Sequence, residues 1–229
     1  MKQLFEMGVY MGNQVENSDV KLRLLDAGEE LFAEYGFEGT SARQLTQKAH
    51  CNLAAINYHF GGKFELYSEV ISRKMKYLRE RRIAIIDRVV KEKGDKLTLI
   101  DLITVFAESF VEPLANEAGG RRFLKMCGWE MLNPKFSRDK FLDEMIKPVV
   151  NHLVMAFSKV CPNLPREKTL QCIASIVAQL MHSIQLDNLF AGATKQEFTS
   201  ATLQQRVEHI IEFSYLAISG MCGQYATAK

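Results

Sequence analysis

Glycine and proline set the frame of this 229-residue chain. All five prolines (Pro113, Pro134, Pro148, Pro162 and Pro165) lie beyond residue 112. The glycines at Gly36, Gly39, Gly61, Gly62, Gly94, Gly119, Gly120 and Gly192 fall between stretches whose apolar residues recur with helical period. No stretch alternates apolar and polar residues for long enough to make a strand. The expected fold is therefore all-α. With 47% apolar and 24% charged residues, the composition is that of a globular protein and excludes bulk disorder.

The breakers also divide the chain. Residues 1–17 lack a clear period and are expected to form a mobile arm. Ser18 is a candidate N-cap, followed by a helix whose stripe is Leu24, Ala27, Gly28, Leu31, Phe32 and Tyr35; Gly36 is expected to stop it. A second helix follows Ser41, with Gln44 three residues on as a capping box. After a turn at His50 and Cys51, Asn52 is placed to cap a third short helix, which Gly61 and Gly62 end. A long helix is expected over about 63–91. Further helices are expected near 96–117, 120–132, 138–160, 166–190 and 197–220, with a kink at Pro148. Three regions result: the arm, a small module over 18–66 joined to a long connecting helix, and a larger helical body over 94–229.

Charge is distributed unevenly along these regions. The overall balance is only +2, which by itself argues against a nucleic-acid binder. By segment it is −5 over residues 1–40, +7 over 41–93 and zero over 94–229. Residues 41–63 hold no acid at all, but do hold Arg43, Lys48, His50, His59 and Lys63. A segment that approaches phosphate needs that pattern, because each acid would repel the backbone and each cation can release a condensed counterion. On the long helix, Arg73, Lys74, Lys76, Arg79, Arg81 and Arg82 read mainly as a solvated face, with flanking phosphate as the alternative. The five cysteines (Cys51, Cys127, Cys161, Cys172, Cys222) are scattered, which points to a reducing compartment rather than a disulfide framework. Glu6 interrupts the first apolar stretch, so no signal peptide is expected, and no run is long enough to span a membrane. The cytoplasm is the expected location.

Two short helices joined by a tight turn can present the second helix to the major groove. Residues 39–63 have the caps, the turn and the apolar inner face that this unit needs. Ala54 and Ala55 allow close approach and can touch a thymine methyl; Asn57 can pair with adenine, and Arg43 with guanine or phosphate. Tyr58, His59 and Lys63 are donors placed for phosphates. Ala27, Leu31-Phe32, Gly36, Phe37, Thr40, Ala49, His59-Phe60, Lys63 and Leu66 together resemble the DNA-binding domain of the TetR/AcrR family of transcriptional repressors, over about residues 20–66. Two departures stand out: His50 occupies the turn where the family usually has Gly, and Asn57 stands where it often has Tyr. The resemblance implies that Thr40, Arg43, Leu53, Ala54, Ala55, Asn57, Tyr58, His59 and Lys63 face DNA; the cap Ser41 completes the candidate DNA-binding set.

The resemblance also implies that the larger body binds an effector and dimerises. Its stretch at 120–134, ending Trp-Glu-Met-Leu-Asn-Pro, is similar to the CecR-like subgroup. Candidate ligand residues are Phe106, Phe110, Phe123, Met126, Cys127, Glu130, His152, Met155, His182 and Gln185, since Met and aromatic side chains adapt to varied apolar ligands. A buried Glu130 would need a partner, such as Arg121, Arg122 or a bound cation; otherwise it faces solvent. No metal and no cofactor is expected, because His152 and His182 lack a third ligand at metal-binding spacing. The last two helices carry long apolar faces (Leu170, Ile173, Ile176, Val177, Leu180, Ile184; Leu203, Val207, Ile210, Ile211, Ser214, Ala217, Ile218, Met221) that self-pairing into a four-helix bundle would bury. The expected function is therefore a homodimeric repressor, not an enzyme. It would bind a palindromic operator and be released by a small, mostly apolar molecule. The alternatives are an all-α enzyme, for which the Glu108 and Glu112 pair lacks a partner base, or a helical protein-binding adaptor.

Overall fold

The computed structural model describes residues 2–115, 117–189 and 202–227, and the side chains of 18–114, 117–184 and 202–226. All regular secondary structure among these residues is helical, as expected. The helices are α1 (Lys2–Gly39), α2 (Ala42–Lys48), α3 (Ala54–Phe60), α4 (Lys63–Lys93), α5 (Leu99–Ala115), α6 (Ala118–Leu132), α7 (Arg138–Phe141), α8 (Lys147–Val160), α9 (Arg166–Leu189) and α10 (Leu203–Thr227). The first helix thus begins at Lys2, and Ser18 lies inside it rather than at a helix start. Gly36 does break it: its backbone leaves helical geometry at φ 68°, although helical turns resume as far as Gly39.

The chain divides into two compact units. The first holds residues 1–75 and 118–138, so α6 groups with α1, α2 and α3. Its core is built from most of the predicted stripe of α1 and the inner faces of α2, α3 and α4: Leu24, Ala27, Phe32, Leu45, Ala49, Ile56, Leu66, Tyr67 and Val70 are buried, whereas Tyr35, at the end of the stripe beside the break at Gly36, is exposed. Phe32 meets Tyr67 edge-on at 4.9 Å, and Phe37 packs on the same ring at 5.2 Å. Gly28 is required for this fit, because a Cβ there would sit 2.9 Å from Val70 Cγ2.

Acids on the outer face of α1 meet cations from four other segments of this unit. Asp26 and Glu29 take Arg73, Glu29 and Glu30 take Arg122, and Glu30 also takes Lys48. Glu34 takes Lys125 and Glu38 takes Lys135. The −5 of the N-terminal segment is therefore largely matched from within the unit.

The second unit holds residues 76–117 and 139–229. Its centre is α5, which packs against α8, α9 and α10. Leu102, Ile103, Phe106 and Ala107 are fully buried there, as are Leu153, Phe157, Ile176 and Leu180. The predicted kink at Pro148 is corrected. The helical path is interrupted earlier, by a π-helical turn over Leu142–Ile146, and Pro148 then sits in the first turn of α8, where its missing N–H has no cost.

Two further expectations change. Cys161, just past the end of α8, is disulfide-bonded to Cys222 on α10, so the cysteines are not all free thiols as their scatter suggested. The stripes assigned to self-pairing are also mostly consumed inside the unit: Ile173, Ile176, Leu180, Ile184, Val207, Ile210 and Ile218 are buried. Among the described residues, the large apolar side chains that α9 and α10 leave exposed are Leu170, Phe213 and Leu216.

Candidate nucleic-acid interface

The α2–turn–α3 unit is built from short-range interactions that its sequence specifies. Ser41 accepts from the Gln44 backbone N–H at 3.2 Å while the Gln44 side chain accepts from the Ser41 N–H at 2.8 Å, which completes the capping box. Asn52 Oδ1 accepts from the Ala55 N–H at 3.0 Å and so caps α3. Gly61 ends α3 in the left-handed region at φ 92°. Between the helices, His50 adopts φ 50°, the only positive φ on a non-glycine residue among those described. That conformation lets the Cys51 N–H reach the Thr46 carbonyl at 3.0 Å and tightens the turn. A glycine would adopt it at lower cost.

With the ends fixed, α3 turns Ile56 and Ala55 inward and leaves a polar and aromatic face outside. Leu53 is 60% exposed and Tyr58 74%, and Ala54 and Asn57 are exposed with them. Ser41 and Arg43 lie exposed at the start of α2, and Arg43 has no acidic partner among the described residues. These six side chains are the accessible part of the candidate set.

The other four candidates are engaged internally to different degrees. Thr40 is only 1% exposed, and its hydroxyl donates to the Leu31 and Gly36 carbonyls, so its side chain closes the end of α1 and cannot reach a duplex. Ala55 is likewise buried, one position too far round the helix. Lys63 is half-buried; its ammonium donates to the Phe37 and Thr40 carbonyls, both at 2.9 Å, and lies over the Phe37 ring. His59 is half-buried edge-on to Tyr58, and desolvation, with a smaller push from Lys21, lowers its pKa below the usual histidine value. The imidazole is thus neutral at neutral pH.

The candidate ligand residues do not gather within one unit. Phe123, Met126, Cys127 and Glu130 lie on α6 in the first unit. Glu130 neither faces solvent nor pairs with Arg121 or Arg122. It accepts from the Tyr67 hydroxyl and from the backbone N–H groups of Lys135 and Phe136, at 2.9 and 2.8 Å. Burial, with a smaller push from Glu130, raises the Cys127 thiol to about 12. In the second unit, Phe106 and Phe110 are buried edge-on at 6.2 Å. Met155 is 67% exposed and His182 is exposed, so neither lines an interior site. His152 is half-exposed, with its ring against the Pro148 carbonyl; the side chain of Gln185 lies outside the described residues.

The basic residues of α4 are not the solvated face expected. Arg73 serves the α1 acids, Arg79 donates to the Glu144 carbonyl, and Arg81 pairs with Glu112 at 2.6 Å and Glu117 at 2.5 Å. Arg82 is buried outright. The sequence carried the signal for this: Met75, Leu78, Arg82 and Ile86 share one helical stripe. Glu112, half of the carboxylate pair weighed for catalysis, is taken up by Arg81. Among the described residues no group of three or more His, Cys, Asp or Glu is placed to hold a metal ion, and no helix is long and apolar enough to cross a membrane.

Comparison with known proteins agrees with this geometry. The family model of bacterial regulatory proteins of the tetR family matches residues 24–70, and that of the tetracyclin repressor-like C-terminal domain matches residues 104–215. No protein of curated function matches the chain. Among solved structures, a TetR-family transcriptional regulator from Mesorhizobium loti aligns over 88% of this chain and 97% of its own, with a TM-score of 0.66 and 14% identity. A TetR-family transcriptional regulator from Thermus thermophilus covers 85% and 96%, with a TM-score of 0.55 and 15% identity. A regulator of this family from Aquifex aeolicus covers 86% and 99%, with a TM-score of 0.55 and 23% identity. At such identities these likenesses speak to the fold alone.

Proposed function

Because the chain belongs to the TetR/AcrR family of transcriptional regulators, we propose that it is a homodimeric repressor of a palindromic operator, released by a small, mostly apolar effector. Family membership itself makes it a non-catalytic, DNA-binding regulatory protein with a helical ligand-binding region. The observation that carries the finer reading is the outer face of α3. Leu53, Ala54, Asn57 and Tyr58 are exposed on a helix capped at both ends, next to an exposed Arg43, in a segment without acids.

In this reading α3 enters the major groove. Asn57 and the Ala54 methyl meet base edges, while Arg43, Ser41 and Tyr58 hold the flanking phosphates. Lys63 contributes through its remaining N–H and as the support of the α1 end. Two copies are joined through α9 and α10 by way of the exposed Phe213 and Leu216, so that their two α3 helices read half-sites about 34 Å apart. The effector occupies the second unit beside Phe106 and Phe110 and shifts the dimer between DNA-competent and released forms. A coupling of about 1–3 kcal/mol is enough to change operator occupancy 5–150-fold. The protein acts in the cytoplasm. The CecR-like likeness of its C-terminal region rests on the 120–134 stretch.

A selection from genomic fragments followed by gel-shift titration tests this. Specific binding should weaken steeply with salt and show two half-sites. Arg43→Ala or Tyr58→Ala should each lower affinity by about 1–3 kcal/mol. Binding that is indifferent to both substitutions, or no specific binding at all, refutes the reading.

A further inference from the structure

Arg82 is the one arginine whose charge the second unit buries without an answer among the described residues. It lies on α4 within the Met75–Leu78–Ile86 stripe and is 3% exposed. Its guanidinium carbon stands 4.4 Å from the centre of the Phe110 ring. Nε and Nη2 are buried and have no hydrogen-bond partner. Glu112 and Glu117 hold Arg81, the Glu144 carboxylate lies by Lys140, and no acid pairs with Arg82 among the described residues. Burial lowers the Arg82 pKa to about 10, so the group is still cationic at neutral pH.

A buried, unpaired cation is strongly unfavourable, and a hydrophobic residue of the same volume is usually better tolerated. Which nitrogens are orphaned is informative. Nε and Nη2 lie on one edge of the guanidinium, and their N–H groups form the parallel fork that matches the two oxygens of a carboxylate. The Phe110 ring lies against the guanidinium carbon and Phe106 stands edge-on to Phe110, so the group is set beside aromatic surface.

The geometry points to an anion site at Arg82: the effector is a carboxylic acid whose two oxygens take the Nε–H and Nη2–H donors while its apolar body packs on Phe110 and Phe106. This rests on the reading of the second unit as the effector-binding part and narrows its ligand from apolar molecules in general to apolar monocarboxylates. It also gives ligand binding a structural consequence, since a carboxylate would neutralise the one buried charge on α4.

The test uses the full-length protein and two matched probe series: n-alkanoates from hexanoate to dodecanoate and 4-alkylbenzoates, each beside its primary amide. Thermal shift and calorimetric titration read binding. At least one acid should bind the wild type and raise its melting temperature, and its amide should bind on the order of 100-fold more weakly, as expected for the loss of two charge-assisted hydrogen bonds. Arg82→Met should melt no lower than wild type without ligand and should no longer distinguish acid from amide. Arg82→Lys, which keeps the charge but not the fork, should bind the acid about tenfold or more weakly than wild type. If acid and amide bind wild type equally, or if Arg82→Met keeps the preference, the anion site is overturned while the effector reading stands. If no acid binds, the proposal is overturned as well, and the regulator reading is then judged by the gel-shift result alone.

Discussion

Glu130 offers the sharpest test of how α6 is held to the DNA-binding unit. Its carboxylate accepts three hydrogen bonds: one from Tyr67, which is buried on α4, and two from the backbone just beyond α6. Glu130→Ala removes all three. Lys135 and Phe136 are half-exposed residues whose N–H groups can turn to water, so these two bonds contribute about 1 kcal/mol each. The Tyr67 hydroxyl cannot, and orphaning it costs about 1–3 kcal/mol. The expected loss is therefore about 4 kcal/mol, near the upper end for a single substitution. For a chain of this size that lowers the melting temperature by roughly 8–16 °C.

Glu130→Gln should cost far less, about 1–2 kcal/mol. Its oxygen can still accept from the backbone while its amide donates to the rotated Tyr67 hydroxyl, so only the charge assistance disappears. Tyr67→Phe removes one bond without orphaning a buried donor. A double-mutant cycle between Glu130→Ala and Tyr67→Phe, measured by urea unfolding, should return a coupling of about 1–3 kcal/mol. Additive losses within about 0.5 kcal/mol would refute the direct bond and with it this account of how α6 is anchored.

Two further outcomes follow from the packing. Cys161→Ser should destabilise the second unit by about 4 kcal/mol, the loop-closure entropy of a crosslink spanning 61 residues, and wild type treated with dithiothreitol should lose as much; a melting curve indifferent to reductant would contradict this. Gly28→Ala should lower stability by about 1 kcal/mol despite alanine's better helix propensity, because the new Cβ meets the stiff Val70 side chain at 2.9 Å. A stabilised variant would show that the α1–α4 contact has room.

What the sequence made legible was local. The capping box at Ser41, the Asn52 cap, the turn at His50, the stop at Gly61 and most of the inward faces of α1 to α3 are set by neighbours within four residues, and the structure has them as expected, although Tyr35 and Leu53, which helical period also turns inward, are exposed. Of the site, the exposed candidates on α3 could be read from helical period. Thr40 could not, because its burial depends on the kink at Gly36 folding its hydroxyl back onto α1. The Tyr67–Glu130 bond and the Cys161–Cys222 bridge join residues 63 and 61 positions apart, and two nitrogens of Arg82 have no hydrogen-bond partner. Period alone places such a residue on a face without saying what the face meets. The grouping of α6 with α1 is of the same kind, set by Trp129 against Gly36 and its indole N–H on the Ala33 carbonyl.

The ion-pair lattice on α1 bears on how any salt titration of this protein is interpreted. Its members are mostly half-exposed to exposed, so each pair contributes little by itself and is screened once the Debye length falls to about 8–10 Å. The same ions that compete for DNA phosphate therefore also loosen the pairing of Arg73, Arg122, Lys125 and Lys135 with the helix behind the reading head. Ionic strength acts twice, once on the contact and once on the stiffness of the part that makes it. A slope of affinity against salt then counts more than phosphates. The number of contacts inferred from it is an upper bound, and the surplus is a measure of how firmly α1 and α6 are clamped.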